Sequence, residues 1–541
     1  MKALRPLIRR YRKLPAPLSR SESSIDWVAM NDGTRLETRV TQPVDLAAPL
    51  SCILLRSEQP PSPAWGPFFA EQGHVVVQQQ CRGRRGSEGR FEPFLREGDD
   101  GADTVDWIEQ QPWYAGRLGV AGFGYAAYTA WATLSRRPES VHAVAAGLGA
   151  RDPYQGLYQG GALQLEWALH LSTQMSDDPT GRDLARGVRT RPVIEADRVA
   201  LRRMPWYREW LEHPTHDAYW EARTPMLPEA PPPCLLLAGL HHPTLAAQLA
   251  DHALLSKAGT AAELVIGPWG ASPLPRRERS RQSDLVAVAS RRLIDFFGRT
   301  RTPAGEPTSR VQVFLPPTRR WHEPATWPPP VEEKTLYLHP DVEDGRLSAE
   351  PPAVGAPGAQ FVYDPADARP TLRGASVETP GSALPVDADW RGDALRYRSA
   401  PLESDLDLLG PARLSLSVSS DARATDFTAR LMESEARGGF HLLGEGITRV
   451  RDLQPGTSLT LEIEFPALAR RLGAGSRLCL EVSSASFPRF DRHPNIAPDA
   501  SRTLAHSTAD DGRVAHQTLH HDAEHPSRLT LGTPQAHAGT R

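Results

Sequence analysis

The segment Gly119-Val120-Ala121-Gly122-Phe123-Gly124-Tyr125-Ala126-Ala127 has the outline of a strand, a tight turn and the start of a helix. Small residues stand two places either side of position 124, as Gly122 and Ala126. A turn of this kind holds one side chain at a strained strand–helix junction, where acyl-transfer enzymes place a nucleophilic serine. Here that position is Gly124, which has no side chain and cannot attack a carbonyl. No other Gly-x-Ser-x-Gly occurs in the chain. Cys81 follows a strand-like run and reads better as a buried, inert thiol than as a nucleophile. Ser272 has no evident partner. His516, His520, His521 and His525 invite a metal reading, against which stands a structural role for the same residues.

The elements that must position the elbow are legible around it. Ile25–Val28 and Leu36–Val40, joined across Asn31-Asp32-Gly33, predict a hairpin. Cys52–Leu55 and His74–Val77 are continuous apolar runs of the kind buried in a parallel sheet. Asp100 to Gln111 has amphipathic helical spacing, and Leu118 to Ala121 is the strand that feeds the elbow. From 151 to about 227 strand patterning stops, and a helical stretch rich in Trp and Arg, beginning near Tyr158, suggests a cap. Strands resume at Cys234–Ala238 and Glu263–Ile266, and a helix from about 283 to 297 closes the first domain.

After Gly305 the texture changes to short alternating runs between Gly and Pro turns, such as Val311–Phe314, Leu414–Val418, Leu459–Ile463 and Leu478–Val482. That pattern predicts a β-sandwich or jelly roll. The expected fold class is therefore α/β with a following β domain. Its boundaries are 1–150 and 231–305 for the α/β core, 151–230 for the cap and 306–541 for the sandwich.

Composition narrows the partners. A chain of 541 residues, 40% hydrophobic, is too long for one core. A formal net charge of −3 gives no reason to expect nucleic acid or a membrane surface. Four scattered cysteines without C-x-x-C spacing suggest neither a disulfide framework nor a zinc site. The basic N-terminus lacks an apolar h-region, and no run of about 18 apolar residues exists, so the expected location is the cytoplasm. No cofactor is expected.

Spaced motifs extend along nearly the whole chain. They include Cys81-Arg82-Gly83-Arg84-Arg85-Gly86-Ser87-Glu88-Gly89, Glu97-Gly98-Asp99-Asp100-Gly101 and Gly267-Pro268-Trp269 in the first domain. The second domain carries Gly410-Pro411-Ala412-Arg413, Ser486-Phe487-Pro488-Arg489-Phe490-Asp491 and His521-Asp522-Ala523-Glu524-His525. In these motifs the chain resembles the CocE/NonD hydrolases, a family with cocaine esterase, α-amino-acid ester hydrolases and X-Pro dipeptidyl peptidases. The resemblance implies an α/β-hydrolase domain, a helical cap, a C-terminal jelly roll and Ser-His-Asp chemistry.

Carried over position by position, that chemistry is interrupted. The serine position of the elbow is Gly124, followed by Tyr125, whose backbone N–H would be half of an oxyanion hole. Gly239-Leu240-His241-His242 matches the segment holding the acid, which puts His242 there beside His241. Gly267-Pro268-Trp269-Gly270-Ala271 matches the segment ending in the base, which becomes Ala271 beside Trp269. Gln59 falls where the family has an oxyanion-donating tyrosine, and Gln80 where it has an aspartate. The same match makes Ser87 and the C-terminal histidines structural.

His242, with a histidine's ordinary pKa, is the expected candidate general base; Gly124, Tyr125, Gln59, His241, Trp269 and Ala271 are the expected binding residues. Two adjacent histidines point in different directions, so no metal site is expected. The reading is a small acyl, ester or peptide-like ligand handled without a covalent intermediate in a biosynthetic pathway. A scaffolding pseudoenzyme, self-associated or paired with an active relative, and hydrolysis through other residues are the alternatives.

Overall fold

The computed structural model describes residues 9–10, 12–60, 64–176, 180–301, 309–341, 344–384, 391–497 and 503–534. The first domain is built on strands β1 (Ser21–Ala29), β2 (Arg35–Pro43), β3 (Leu50–Ser57), β4 (Val75–Gln80), β5 (Tyr114–Phe123) and β6 (Val141–Gly147). β7 (Cys234–His241), β8 (Ala262–Gly270), β9 (Arg310–Leu315) and β10 (Arg320–His322) continue it. They form one ten-stranded sheet in the order β1-β2-β4-β3-β5-β6-β7-β8-β9-β10. Strands β3 to β9 pair in parallel, and the hairpin β1–β2 and the short β10 add antiparallel edges.

Helices α1 (Glu97–Glu109), α2 (Tyr125–Arg136), α3 (Leu165–Gln174), α4 (Leu245–Lys257) and α5 (Leu285–Thr300) accompany the sheet and cap. Val75, Val76 and Val77 are fully buried, as a strand covered on both faces requires. Valines 75 and 77 join the core under α2, while Val76 joins the core under α5.

Two expectations about extent are corrected. The run Val311–Phe314, expected in the sandwich, is β9, and with β10 it extends the first sheet past residue 306. An alternating pattern describes a strand but not the sheet that accepts it. A short helix, Pro153–Leu157, opens the cap, but the stretch from Tyr158 turns helical only at Leu165; Tyr158–Gln159 and Ala162–Leu163 instead form a small antiparallel ribbon. Gly160 and Gly161 at its turn have φ of +54° and +82°.

The remaining strands make an eleven-stranded β-sandwich around Leu414, Leu416, Phe427, Ile463, Phe465 and Leu480. Its long strand Leu406–Ser420 pairs along most of its length with Leu459–Leu472. Cap and sandwich are joined by Glu166, at the start of α3. Its buried carboxylate accepts from Ser376 Oγ at 3.1 Å and from the N–H groups of Val377 and Glu378, each at 3.0 Å.

Candidate functional site

Gly124 sits between β5 and α2 with φ +60° and ψ −123°, a backbone that only glycine adopts without strain. Its N–H donates to the Gly147 carbonyl at 2.9 Å. The inside of the turn is closed. A Cβ at Gly122 would lie 2.0 Å from the Ala126 carbonyl oxygen, and one at Gly149 would lie 2.2 Å from that of Gly124. At Gly124 itself a Cβ would meet nothing within 4 Å. The elbow thus keeps its shape and leaves open space where a side chain would stand. The first N–H groups of α2, beginning with Tyr125, have no acceptor within their own helix and form a natural cradle for an oxygen.

A cavity of about 30 Å³ opens there, walled by Tyr125, Tyr128, Phe94, Trp167, Leu171 and Thr244. It is mostly apolar, and its tyrosine hydroxyls are engaged elsewhere. Tyr125 donates to the Glu97 carboxylate and accepts from the Phe94 N–H at 3.0 Å. The Tyr128 hydroxyl lies 2.7 Å from the Arg223 carbonyl and 2.9 Å from that of Phe94. Burial pushes the Glu97 carboxyl up to about 7, partly countered by the Tyr125 hydroxyl, and its second oxygen has no partner.

The other expected residues converge on the same sheet edge but not on this cavity. The loops after β5, β6, β7 and β8 are stitched together: Leu148 N–H donates to Leu237 O at 2.9 Å, and His241 pairs with Gly270 across β7 and β8. His242 is buried, with Nδ1 2.8 Å from the Thr244 hydroxyl and 3.3 Å from its N–H. The Trp167 ring stands edge-on to it at 5.1 Å, a wall between this imidazole and the elbow cavity. His241 and His242 line a different cavity, facing Glu445 and Arg489 of the sandwich.

Burial drives both rings toward the neutral form, His241 to about 4 and His242 to about 3. The ordinary histidine pKa expected of His242 is therefore corrected downward, and its basicity with it. Gln59 does not reach the cavity either. Its amide donates to the Gln174 carbonyl at the end of α3, tying the core to the cap. Trp269 is buried against the face of the sheet under α5, its indole N–H donating to Ser283 O at 2.8 Å. Ala271 packs against the cap's aromatic cluster.

All four cysteines are free and buried, and burial pushes the Cys81 thiol well up. Ser87 donates to Gln80 O at 3.0 Å and accepts from the Glu37 N–H at 2.9 Å, a turn brace. Nδ1 of His516 lies 2.8 Å from Asp421, and Nε2 of His521 lies 2.7 Å from the Tyr397 hydroxyl. Among the described residues no group of three or more His, Cys, Asp or Glu could hold a metal. Nor is any helix among them long and apolar enough to cross a membrane. Sequence reasoning missed Trp167, Leu171 and Phe94. The i, i+4 spacing of Trp167 and Leu171 on α3 was the available signal, since it puts both on one helix face.

A parallel sheet with an elbow at its middle, a helical cap between its halves and a β-sandwich behind define an α/β-hydrolase-fold protein of two domains and a cap. Known proteins narrow this further. Residues 32–271 match the X-Pro dipeptidyl-peptidase (S15) family, and 303–530 match the X-Pro dipeptidyl-peptidase C-terminal non-catalytic domain. Cocaine esterase of Rhodococcus sp. (strain MB1 Bresler) is 28% identical over 94% of this chain and 98% of its own.

Among solved structures, an aminopeptidase from a marine sediment archaeon (Thaumarchaeota) superposes with a TM-score of 0.81 at 19% identity, covering 96% of this chain and 97% of its own. An α-amino acid ester hydrolase follows at 0.79 and 21%, covering 96% and 98%. The chain belongs to the CocE/NonD family of α/β-hydrolases.

Proposed function

We propose that this member of a hydrolase family performs no covalent acyl transfer at its elbow and keeps the fold to bind a small acyl, ester or peptide-like molecule beneath the cap. One observation carries the reading. At position 124 the elbow backbone is intact and the space for a side chain is open, but the residue is glycine. The partners agree with it. The positions matching the acid and base hold His242, which is neutral at ordinary pH, and Ala271, which has no titratable group. Loss of a whole triad leaves a hydrolase only binding and oxyanion contributions, about 10³–10⁴ over water in a well-studied case.

The α2 N-terminus is the polar anchor for a ligand carbonyl, and Trp167, Leu171 and Phe94 form its apolar wall. At about 30 Å³ the cavity holds little more than one water, so a ligand enters by displacing Trp167 or Leu171. Any chemistry there is non-covalent and would belong to a small-molecule pathway. The small volume favours one second reading, a scaffolding subunit whose pocket has closed.

Native mass spectrometry of the full chain tests the proposal, with ester and aminoacyl-amide hydrolysis assayed alongside. A retained small molecule that is lost in Ala150→Leu, at the cavity wall, supports the binding reading. Saturable hydrolysis by the unmodified protein, abolished by one serine substitution, overturns it.

A further inference from the structure

A larger cavity, about 130 Å³ against about 30 Å³ at the elbow, lies where the cap meets the sandwich. Leu163, Val193 and Leu211 of the cap and Leu504 and Ala505 of the sandwich give it apolar walls. Its two arginines differ sharply. Arg449 is paired with two carboxylates: Asp426 accepts from Nε and Nη2 at 2.8 Å each, and Asp491 from Nη1 and Nη2 at 3.0 and 2.9 Å. Asp491 also accepts the Leu163 N–H at 3.0 Å, so this network is internally closed.

Arg451 has no such partner. Its Nη2 donates to two neutral oxygens, Gly161 O at 2.8 Å and Pro214 O at 3.0 Å, and no carboxylate among the described residues pairs with it. Burial, with Arg449 alongside, holds this guanidinium below its ordinary value. The Thr503 hydroxyl, on the same wall, is buried and without a partner. A half-buried guanidinium that no carboxylate pairs directly and an unsatisfied hydroxyl each cost free energy that a guest can return. Arginine's planar fork matches a carboxylate.

We propose that this cavity is a binding site for a small carboxylic acid with an apolar body, its carboxylate on Arg451 and Thr503 and its hydrocarbon against Val193, Leu211 and Leu504. The site uses no residue of the elbow and stands whatever the elbow does.

Calorimetric titration of the folded full chain with benzoate and hexanoate tests it. Saturable binding is expected, weakened at least tenfold in Arg451→Met and in Ala505→Phe, which fills the cavity but keeps the arginine. Benzamide and inorganic phosphate bind at least tenfold more weakly than benzoate, and Ala150→Leu, at the elbow cavity, leaves benzoate binding unchanged. The proposal is overturned by no saturable binding of either acid, by binding indifferent to both cavity variants, or by phosphate binding as well as benzoate. Loss of benzoate binding in Ala150→Leu alone would move the acid to the elbow and equally overturn it.

Discussion

Restoring a side chain at the elbow should cost strain and nothing else. With φ +60° and ψ −123°, position 124 penalises any residue bearing a Cβ by about 1–3 kcal/mol. In Gly124→Ser the added Cβ meets nothing within 4 Å. Gly122→Ala differs in kind. Its Cβ would sit 2.0 Å from the Ala126 carbonyl oxygen and 2.6 Å from the Ala126 Cβ, and backbone cannot swing aside as a side-chain tip can. Overpacking of that severity costs about 3 kcal/mol or more.

Thermal unfolding followed by differential scanning fluorimetry reads the contrast, at roughly 2–4 °C per kcal/mol for domains of about 150–250 residues. Gly124→Ser should lower the first transition by a few degrees, and Gly122→Ala should lower it by clearly more or prevent folding. A stabilised Gly124→Ser, or two equal losses, would refute the argument that the elbow is intact and open only at its apex.

Three further outcomes follow from the same contacts. The depressed His242 pKa means that its stabilising share is complete above the unfolded value near 6.5 and is lost as pH falls toward 3. His242→Gln should make the acid limb of a stability–pH curve shallower, by up to about 1.4 kcal/mol per pH unit, and an unchanged limb counts against the burial argument. Glu166→Ala strips the acceptor from three donors of the segment 376–378, so it should cost about 1–3 kcal/mol and open that segment to limited proteolysis, whereas Glu166→Gln should lose less. Ellman's reagent should label none of the four buried cysteines until the protein is unfolded; fast native labelling of Cys81 would reopen it as a nucleophile.

The elbow was legible because its requirement is local: Gly122 and Ala126 exist to let strand and helix touch, and that spacing is visible in nine residues. The parallel sheet was legible for a similar reason, in runs such as Val75–Val77. What surrounds the elbow was not. Nothing near Gln59 announces that its amide reaches Gln174, 115 residues along the chain. His242 reads as an ordinary titrating histidine until Trp167, supplied by the cap, removes it from water. The strand Arg310–Leu315 alternates like its sandwich neighbours, yet joins β8 because only the folded sheet edge selects its partner. Local geometry can be read from local sequence, but burial and strand partnership depend on segments far apart.

The central claim is that no nucleophile operates in this member of a hydrolase family. Intact-mass spectrometry after incubation with a fluorophosphonate measures it directly, with a serine-bearing relative as the positive control. The account predicts an unshifted mass for this chain while the control is fully labelled. A single stoichiometric adduct, mapped to a serine or tyrosine of the native protein, would contradict it.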